Sequence, residues 1–249
     1  FYPDDARELT VMIADFMSDA KANGKPVKAI IAPHAGYIYS GPIAASAYAQ
    51  LSECAGIIER GVLIGPAHRV PLQGLAVSSA ESFATPLGSV AVDQEAVQEI
   101  LTLPQVSVSD QAHAPEHSLE VHLPFLQTIC PGFRIVPLVA GQTTADEVEE
   151  VLEILWGGPE TVIVVSSDLS HFYDYATAHT LDAATAEAIE SLNPSRLRYD
   201  CACGQVAIQG LLKAARKKGL SARTVDLRNS GDTSGPRSRV VGYGAFAFA

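Results

Sequence analysis

Three of the seven histidines in this 249-residue chain stand shortly after short apolar runs rich in β-branched residues: His34, His68 and His171. Each run is too short for a typical helix and is closed by Pro, Gly or Ser, which predicts a buried strand ending in a loop. In an open α/β sheet, ligands bind outside the carboxyl ends of the strands. The pattern therefore predicts that the three imidazoles converge on one site. The alternative for His34 and His68 is a ring that hydrogen-bonds the backbone of its own turn.

Imidazole nitrogens are ligands of transition metals, and a site built on His34 and His68 needs a third, anionic ligand. The candidates for that ligand are Asp168, Glu116 and the thiolate of Cys203. Cys203 stands at the predicted start of a helix, where the helix dipole lowers a thiol pKa and favours the thiolate. Two alternatives stay open: Cys203 is a buried, inert thiol, or the neighbouring Cys201 competes for the role.

His171 differs from the other two histidines because it follows Ser166-Ser167-Asp168 in a longer loop. This spacing predicts that it lies at the edge of the site and serves as an acid/base, with Asp168 orienting a ring or a ligating histidine. A helix cap is the alternative role for Asp168.

The segment 112–125 packs three histidines and two glutamates into a predicted loop and the start of a helix. His117 and His122 are five residues apart, unlike the i, i+4 histidine pair of the zincin helix. On a helix, Glu116 and Glu120 would share one face. We expect structural or substrate-contacting roles here, such as hydrogen bonds behind metal ligands, with direct ligation as the less favoured alternative.

Strands and helices alternate along the chain, which predicts a three-layer α/β/α sandwich with a mostly parallel or mixed central sheet. No linker or repeat divides residues 1–249, so we expect a single domain. Helices are predicted at 5–22, 41–51, 93–101, 145–155, 178–192 and 203–218, and strands at 27–32, 61–65, 134–139, 161–166, 223–227 and 240–248. Between residues 75 and 92, two alternating segments, 75–78 and 88–92, predict a hairpin or a β-excursion at the sheet edge, and 229–235 predicts a turn-rich loop.

Composition excludes some classes of partner. The net charge of -11, with acidic and basic residues interspersed, argues against binding to nucleic acid or to an anionic membrane. No apolar run approaches the roughly 20 residues that cross a bilayer, and the first residues are unlike a basic signal peptide, so we expect a cytoplasmic protein. The four cysteines lack framework spacing, which predicts reduced thiols.

Six ordered motifs together resemble the Memo family, whose prokaryotic members are called AmmeMemoRadiSam system protein B. The motifs extend over nearly the whole chain. They are Pro33-His34-Ala35-Gly36-Tyr37, Gly65-Pro66-Ala67-His68, Glu116-His117-Ser118-Leu119-Glu120-Val121, Ser167-Asp168-Leu169-Ser170-His171, Cys203-Gly204, and Asn229-Ser230-Gly231-Asp232 with Val241-Gly242-Tyr243-Gly244.

The resemblance implies a fold like that of the class III extradiol dioxygenases, which use non-haem Fe(II). It implies that His34 and His68 bind one transition metal ion and that His171 is the acid/base. Cys203 stands where those enzymes place a glutamate. Thiolate is a softer ligand than carboxylate and shifts the preference toward copper or zinc without excluding iron. Together with the resemblance, this leads us to expect Fe(II) or copper, with zinc as a further candidate.

We therefore expect a metal-dependent oxidoreductase that acts on an unknown small substrate. Its metal ligands would be His34, His68 and Cys203, and Asp168 would assist His171. The residues expected to contact substrate are Tyr37, Glu116 and His117. Two alternatives stay open: a non-catalytic module that binds a peptide or protein in the same cleft, or a copper- or iron-handling protein. The family name suggests a functional link to a radical SAM protein.

Overall fold

The computed structural model describes residues 1–198 and 200–249 and places a nine-stranded mixed sheet at the centre of the molecule. The strands are β1 (Ala29–Ala32), β2 (Arg60–Pro66), β3 (Leu75–Val77), β4 (Ser82–Thr85), β5 (Gly88–Ala91), β6 (Val106–Val108), β7 (Arg134–Ala140), β8 (Thr161–Ser166), β9 (His171–Tyr173), β10 (Ala222–Asn229) and β11 (Val240–Phe248). Their order in the sheet is β10-β11-β1-β8-β2-β7-β3-β6, with β9 paired to β11, while β4 and β5 form a separate hairpin.

Helices cover both faces of this sheet, as the three-layer prediction requires. They are α1 (Ala6–Asp19), α2 (Tyr37–Tyr48), α3 (Gln94–Ile100), α4 (Asp110–His113), α5 (Leu123–Ile129), α6 (Ala145–Leu155), α7 (Tyr175–Glu190), α8 (Gln205–Lys217) and α9 (Ser230–Thr233). α3, α6 and α8 pack near β2, β7 and β8, whereas α1, α2 and α5 pack together and α2 lies on β1, β10 and β11. No described helix has the length and apolar character needed to span a bilayer.

The four central strands run parallel to one another, which brings their carboxyl ends to the same edge. Ala32 of β1 pairs with Ser166 of β8, and Pro66 of β2 pairs with Ala140 of β7. These strands are buried on both faces, as their continuous β-branched runs predict. The loops that carry His34, His68 and Asp168 therefore leave the sheet side by side.

Of the two alternatives for residues 75–92, the hairpin is wrong in its first strand. Leu75–Val77 belongs to the main sheet, where it lies between β7 and β6. The hairpin instead joins Ser82–Thr85 to Gly88–Ala91 around Pro86-Leu87. Alternation of apolar and polar residues within a segment does not identify its partner strand. Here β3 pairs with Val139 and Ala140 of β7, which are distant in the chain.

Several helix ends also differ from the prediction. α2 begins at Tyr37 instead of residue 41 and contains Pro42, and its start is held by the Tyr37 N–H, which donates to the Phe1 carbonyl over 2.9 Å. α1 ends at Asp19, α7 extends from Tyr175 to Glu190, and α9 lies inside the loop predicted at 229–235. Asp5 and Asp93 cap α1 and α3, because their carboxylates accept N–H bonds at the starts of these helices.

Candidate metal centre

Two histidines and one cysteine meet at the carboxyl edge of the parallel strands. Nε2 of His34 lies 3.3 Å from Sγ of Cys203, and the His34 and His68 ring centroids are 5.2 Å apart. Ligand atoms of all three side chains lie within 4.8 Å of one another, as in a group that can share one metal ion. His34 is 3% exposed and Cys203 partly buried, whereas His68 is exposed. The set therefore has a closed side at His34 and a solvent side at His68.

A hydrogen-bonded relay fixes the tautomer of His34. The Ser166 hydroxyl donates to the Ser118 carbonyl over 2.6 Å, and the same oxygen lies 2.6 Å from Nδ1 of His34. Because the hydroxyl proton is committed to the carbonyl, Ser166 must accept from His34, and Nδ1 carries the ring proton. Nε2 is thus left with its lone pair directed at the Cys203 side of the site, which is the form a metal ligand requires.

Removing the Ser166 hydroxyl should weaken metal binding without removing a ligand. We expect Ser166→Ala to lower metal affinity about 10- to 100-fold, because His34 loses the acceptor that fixes its tautomer and orientation. Competition with a chromophoric chelator measures the affinity. Ser46→Ala, which removes a hydroxyl that bonds to Pro42 and Asp226, is the control. Equal affinity in Ser166→Ala and wild type would contradict the relay.

Glu116 orients His68 in a comparable way. Its Oε1 lies 3.0 Å from Nδ1 of His68, and its Oε2 accepts the His68 backbone N–H over 2.6 Å. Burial by itself would raise the pKa of Glu116, but the bonds from His68 and from the Ser118 N–H outweigh it and lower the pKa to about 2. An ionised carboxylate can only accept, so Nδ1 of His68 carries the proton and Nε2 is free. Glu116 thus holds the His68 ring and backbone from the side opposite Nε2.

The local structure of that segment differs from the prediction. Glu116 and His117 lie outside any helix, and only Glu120–His122 forms a short 3-10 helix before α5. Glu116 and Glu120 therefore do not share a helix face. The Glu116 carboxylate there accepts N–H bonds from His117 and Ser118 as well as from His68.

Protonation differs between the two ligands that lie closest together. Burial, followed by the charges of His68 and His117, lowers the pKa of His34 well below its usual value, so the ring is neutral at neutral pH. Burial, followed by the charge of Asp168, raises the pKa of the Cys203 thiol to about 12. The sequence argument that a helix start favours the thiolate is therefore wrong for the protein without metal. α8 begins at Gln205, and Cys203 lies in front of it.

Metal binding should accordingly release the Cys203 proton. With a thiol pKa of about 12, the ligand is protonated at neutral pH, and the metal must displace that proton. We expect metal affinity to rise with pH by about tenfold per pH unit below that pKa. Titration with a pH indicator should detect about one proton per metal ion. A pH-independent affinity, with no proton released, would contradict thiolate ligation.

Asp168 positions the His34 loop. Its Oδ1 accepts the His34 backbone N–H over 2.8 Å, and its own N–H donates to Sγ of Cys203 over 3.2 Å. Burial raises the pKa of Asp168, although the N–H groups of His34 and Ala35 and the charge on His171 oppose that rise. The alternative role as a helix cap is not observed, since the residue that caps α7 is Asp174.

His171 lies on the short strand β9 instead of in the predicted loop. Its charge would lower the pKa of both Asp168 and His34, which places it near them. In the part of the chain that the structure describes, its ring makes no hydrogen bond with another residue. The ring is half-buried and is thus available to exchange a proton.

The other predicted site residues lie in two different settings. His117 packs against both metal-site histidines, with ring centroids 5.9 Å from His34 and 5.7 Å from His68, and forms a second group of potential ligands with Glu116 and His68. Tyr37 is 2% exposed and its hydroxyl donates to the Val121 carbonyl over 2.6 Å. The Tyr37 hydroxyl is thus engaged in packing α2 against the 3-10 helix.

Two features of the site had weak sequence signals. Ser166 stands out only as the polar end of an apolar strand. Gly204 lets α8 approach β8, because a Cβ there would lie 2.5 Å from the Ser166 carbonyl oxygen and 2.8 Å from Ser167 Cβ.

Cys201 is buried and outside the ligand group, so it does not compete with Cys203. All four cysteines are free thiols, as predicted.

Known proteins are similar to this chain over nearly its whole length. A family model described as Memo-like protein matches residues 1–247. Proteins named MEMO1 family protein are similar: that of Ignicoccus hospitalis is 37% identical over 275 residues, covering 100% of this chain and 95% of that protein. Those of Aquifex aeolicus and Archaeoglobus fulgidus are both 36% identical, with 98% and 100% of this chain and 94% and 96% of the relatives covered.

Among solved structures, the crystal structure of uncharacterized protein JW3007 from Escherichia coli K12 is similar. It matches with a TM-score of 0.51 and 14% identity, covering 88% of this chain and 99% of that chain. At this identity the likeness concerns the fold alone, and it agrees with the three-layer α/β/α arrangement.

Proposed function

The chain belongs to the family of Memo-like proteins, and from that premise we propose that it is a metal-dependent oxidoreductase acting on a small substrate. The single observation that supports this most is the group of His34, His68 and Cys203, whose ligand atoms lie within 4.8 Å of one another. We propose one transition metal ion there, Fe(II) or copper, with zinc as a further candidate.

The residues present fit such an ion. Both imidazoles have their proton held on Nδ1, by Ser166 and by Glu116, and so offer Nε2. Two nitrogens and one sulfur form a donor set for the softer first-row metals. A redox-active ion held there would supply one-electron chemistry and Lewis acidity next to the exposed His68 side.

The remaining residues would then handle substrate and protons. Substrate would enter from the His68 side, because His34 and Asp168 close the opposite side of the site. His117, which stacks near both histidines, would contact substrate. His171 would accept or donate a proton at its free ring nitrogen, and Asp168 would hold the His34 loop in place during that transfer.

Anaerobic reconstitution tests this proposal. The purified protein is loaded with Fe(II) or with Cu(I), its metal content is measured, and oxygen consumption is followed with a panel of small metabolites. Turnover that needs the metal and is lost in His171→Ala, with metal content retained, supports the oxidoreductase. A loaded protein that consumes no oxygen with any member of the panel counts against it.

A second candidate is a non-catalytic module that binds a peptide or protein in the same cleft. Exposed apolar side chains next to the site favour it: Phe172 and Tyr173, directly after His171, are 60% and 47% exposed, and Ile38 is 56% exposed. Phe172 also has a φ of 66°, unusual for a bulky residue. Peptide capture that is lost in Phe172→Ser but retained in His34→Ala would favour this module over the enzyme.

Metal handling is the remaining candidate, and the thiol ligand favours it. Rapid transfer of copper or iron to an acceptor chelator, without turnover, would distinguish it. A functional link to a radical SAM protein and a place in the cytoplasm remain proposals that follow from the family name and the composition.

A further inference from the structure

A separate cavity of about 350 Å³ lies behind the metal centre, between the end of β3, the β4 strand and α4. Its described lining includes Glu116 but none of His34, His68 and Cys203. It therefore shares a wall with the metal centre and is a different space. Its polar lining includes a histidine and three carboxylates.

The first of these groups is His113, which is 8% exposed. Its Nε2 lies 2.9 Å from the Ala76 carbonyl oxygen. A carbonyl can only accept, so Nε2 carries the proton and Nδ1 carries a lone pair. Within residues 1–198 and 200–249, no hydrogen-bond partner of Nδ1 is present. Burial also lowers the pKa of His113, which keeps the ring neutral and Nδ1 an acceptor.

The second group of acceptors is anionic. Asp110 lines the cavity and is fixed by Ser78 and by Ser79, whose hydroxyls donate to it over 2.8 and 2.5 Å. Glu120 also lines it, and its Oε1 accepts from the Tyr2 hydroxyl, which leaves the second oxygen to a ligand. Among the described lining residues there is no lysine or arginine. The cavity thus offers negative charge and acceptors with no resident cation.

The third feature is an apolar wall formed by Phe83, Leu119 and Val139. Such a wall accommodates a short hydrocarbon, and the face of an aromatic ring also attracts a cation. We propose that this cavity binds a small organic cation, a guanidinium or primary ammonium group on a short alkyl chain. Its N–H groups would donate to Nδ1 of His113 and to the carboxylates of Glu120 and Asp110. This site does not rest on the proposed oxidoreductase activity.

Isothermal titration with n-butylguanidinium tests the site, and N-butylurea, of similar shape but uncharged, is the matched probe. We expect saturable 1:1 binding of the cation, in protein with and without metal, and no saturable binding of the urea. Glu120→Gln removes the charge while keeping an acceptor for Tyr2, and should weaken binding about tenfold. Ala114→Trp, at an exposed lining position, should abolish binding by filling the cavity mouth.

Glu99→Gln, an exposed carboxylate on α3 away from the cavity, is the charge control and should bind like wild type. Circular dichroism verifies that each variant is folded. The proposal is overturned if wild type shows no saturable binding, if N-butylurea binds as tightly as the cation, or if the folded Ala114→Trp variant binds undiminished. Loss of metal chemistry with retained cation binding would refute the proposed function and leave this site standing.

Discussion

Replacing Cys203 by serine is expected to abolish high-affinity metal binding while leaving the protein folded. Serine is nearly isosteric with cysteine, so packing around the partly buried side chain changes little. A neutral hydroxyl is a far poorer ligand than a thiolate for soft first-row metals. Loss of a residue that only supports a ligand lowers metal affinity by up to about 100-fold. Loss of a ligand should cost more, so we expect metal affinity to fall by more than about 100-fold. Chelator competition measures this loss. In cobalt-substituted protein, the sulfur-to-metal charge-transfer band should disappear.

Cys201→Ser is the matched control, because the two cysteines are two residues apart and Cys201 is also buried. Its metal content and charge-transfer band should equal those of wild type. His34→Ala should match Cys203→Ser in metal loss. Unchanged metal content in both Cys203→Ser and His34→Ala would show that the ion binds elsewhere.

The second large effect is expected at Gly204, where the closeness of α8 to β8 leaves no room for a side chain. In Gly204→Ala the new Cβ would meet the Ser166 carbonyl at 2.5 Å, and this neighbour is backbone that cannot rotate away. We expect α8 to shift outward, lowering the free energy of unfolding by about 1–3 kcal/mol. Because Cys203 immediately precedes this glycine, its sulfur should move away from His34, and metal affinity should fall as well.

Urea denaturation and chelator competition measure the two effects of Gly204→Ala. Gly56→Ala is the control, since a Cβ at Gly56 meets nothing within 4 Å. It should leave stability and metal affinity close to wild type. If Gly204→Ala were as stable as Gly56→Ala and bound metal normally, the close approach would have no role in forming the site.

The parallel centre of the fold could be predicted from sequence because its signals are local. Continuous β-branched runs closed by Pro, Gly or Ser identified the strands that end at Ala32, Pro66 and Ser166. The strands at the β3-β6 edge of the sheet could be predicted less well. Val106–Val108 has only three residues, too few for a local signal, and the strand partner of Leu75–Val77 cannot be read locally, because its pairing with Ala140 is long-range.

In the site, too, local features could be predicted and long-range contacts could not. The sequence could propose His34, His68 and Cys203 as ligands, because each stands beside a strand end or a helix start. It could not show that Ser166 sets the tautomer of His34, since that depends on the Ser118 carbonyl arriving from a different loop. Nor could it give the state of Cys203. Burial is a property of the assembled fold, and here it outweighs the helix-start effect that the sequence indicated.

The raised pKa of Cys203 has a consequence for how the protein survives before it acquires a metal. Oxidants such as peroxide attack the thiolate, and a thiol with a pKa of about 12 presents almost none of it at neutral pH. In the folded protein without metal, the sulfur should therefore be oxidised to sulfenic acid only slowly. Once a metal replaces the proton, that shielding ends and the sulfur becomes electron-rich. The burial of one side chain thus lowers the expected rate of thiol oxidation in the folded protein that awaits its metal.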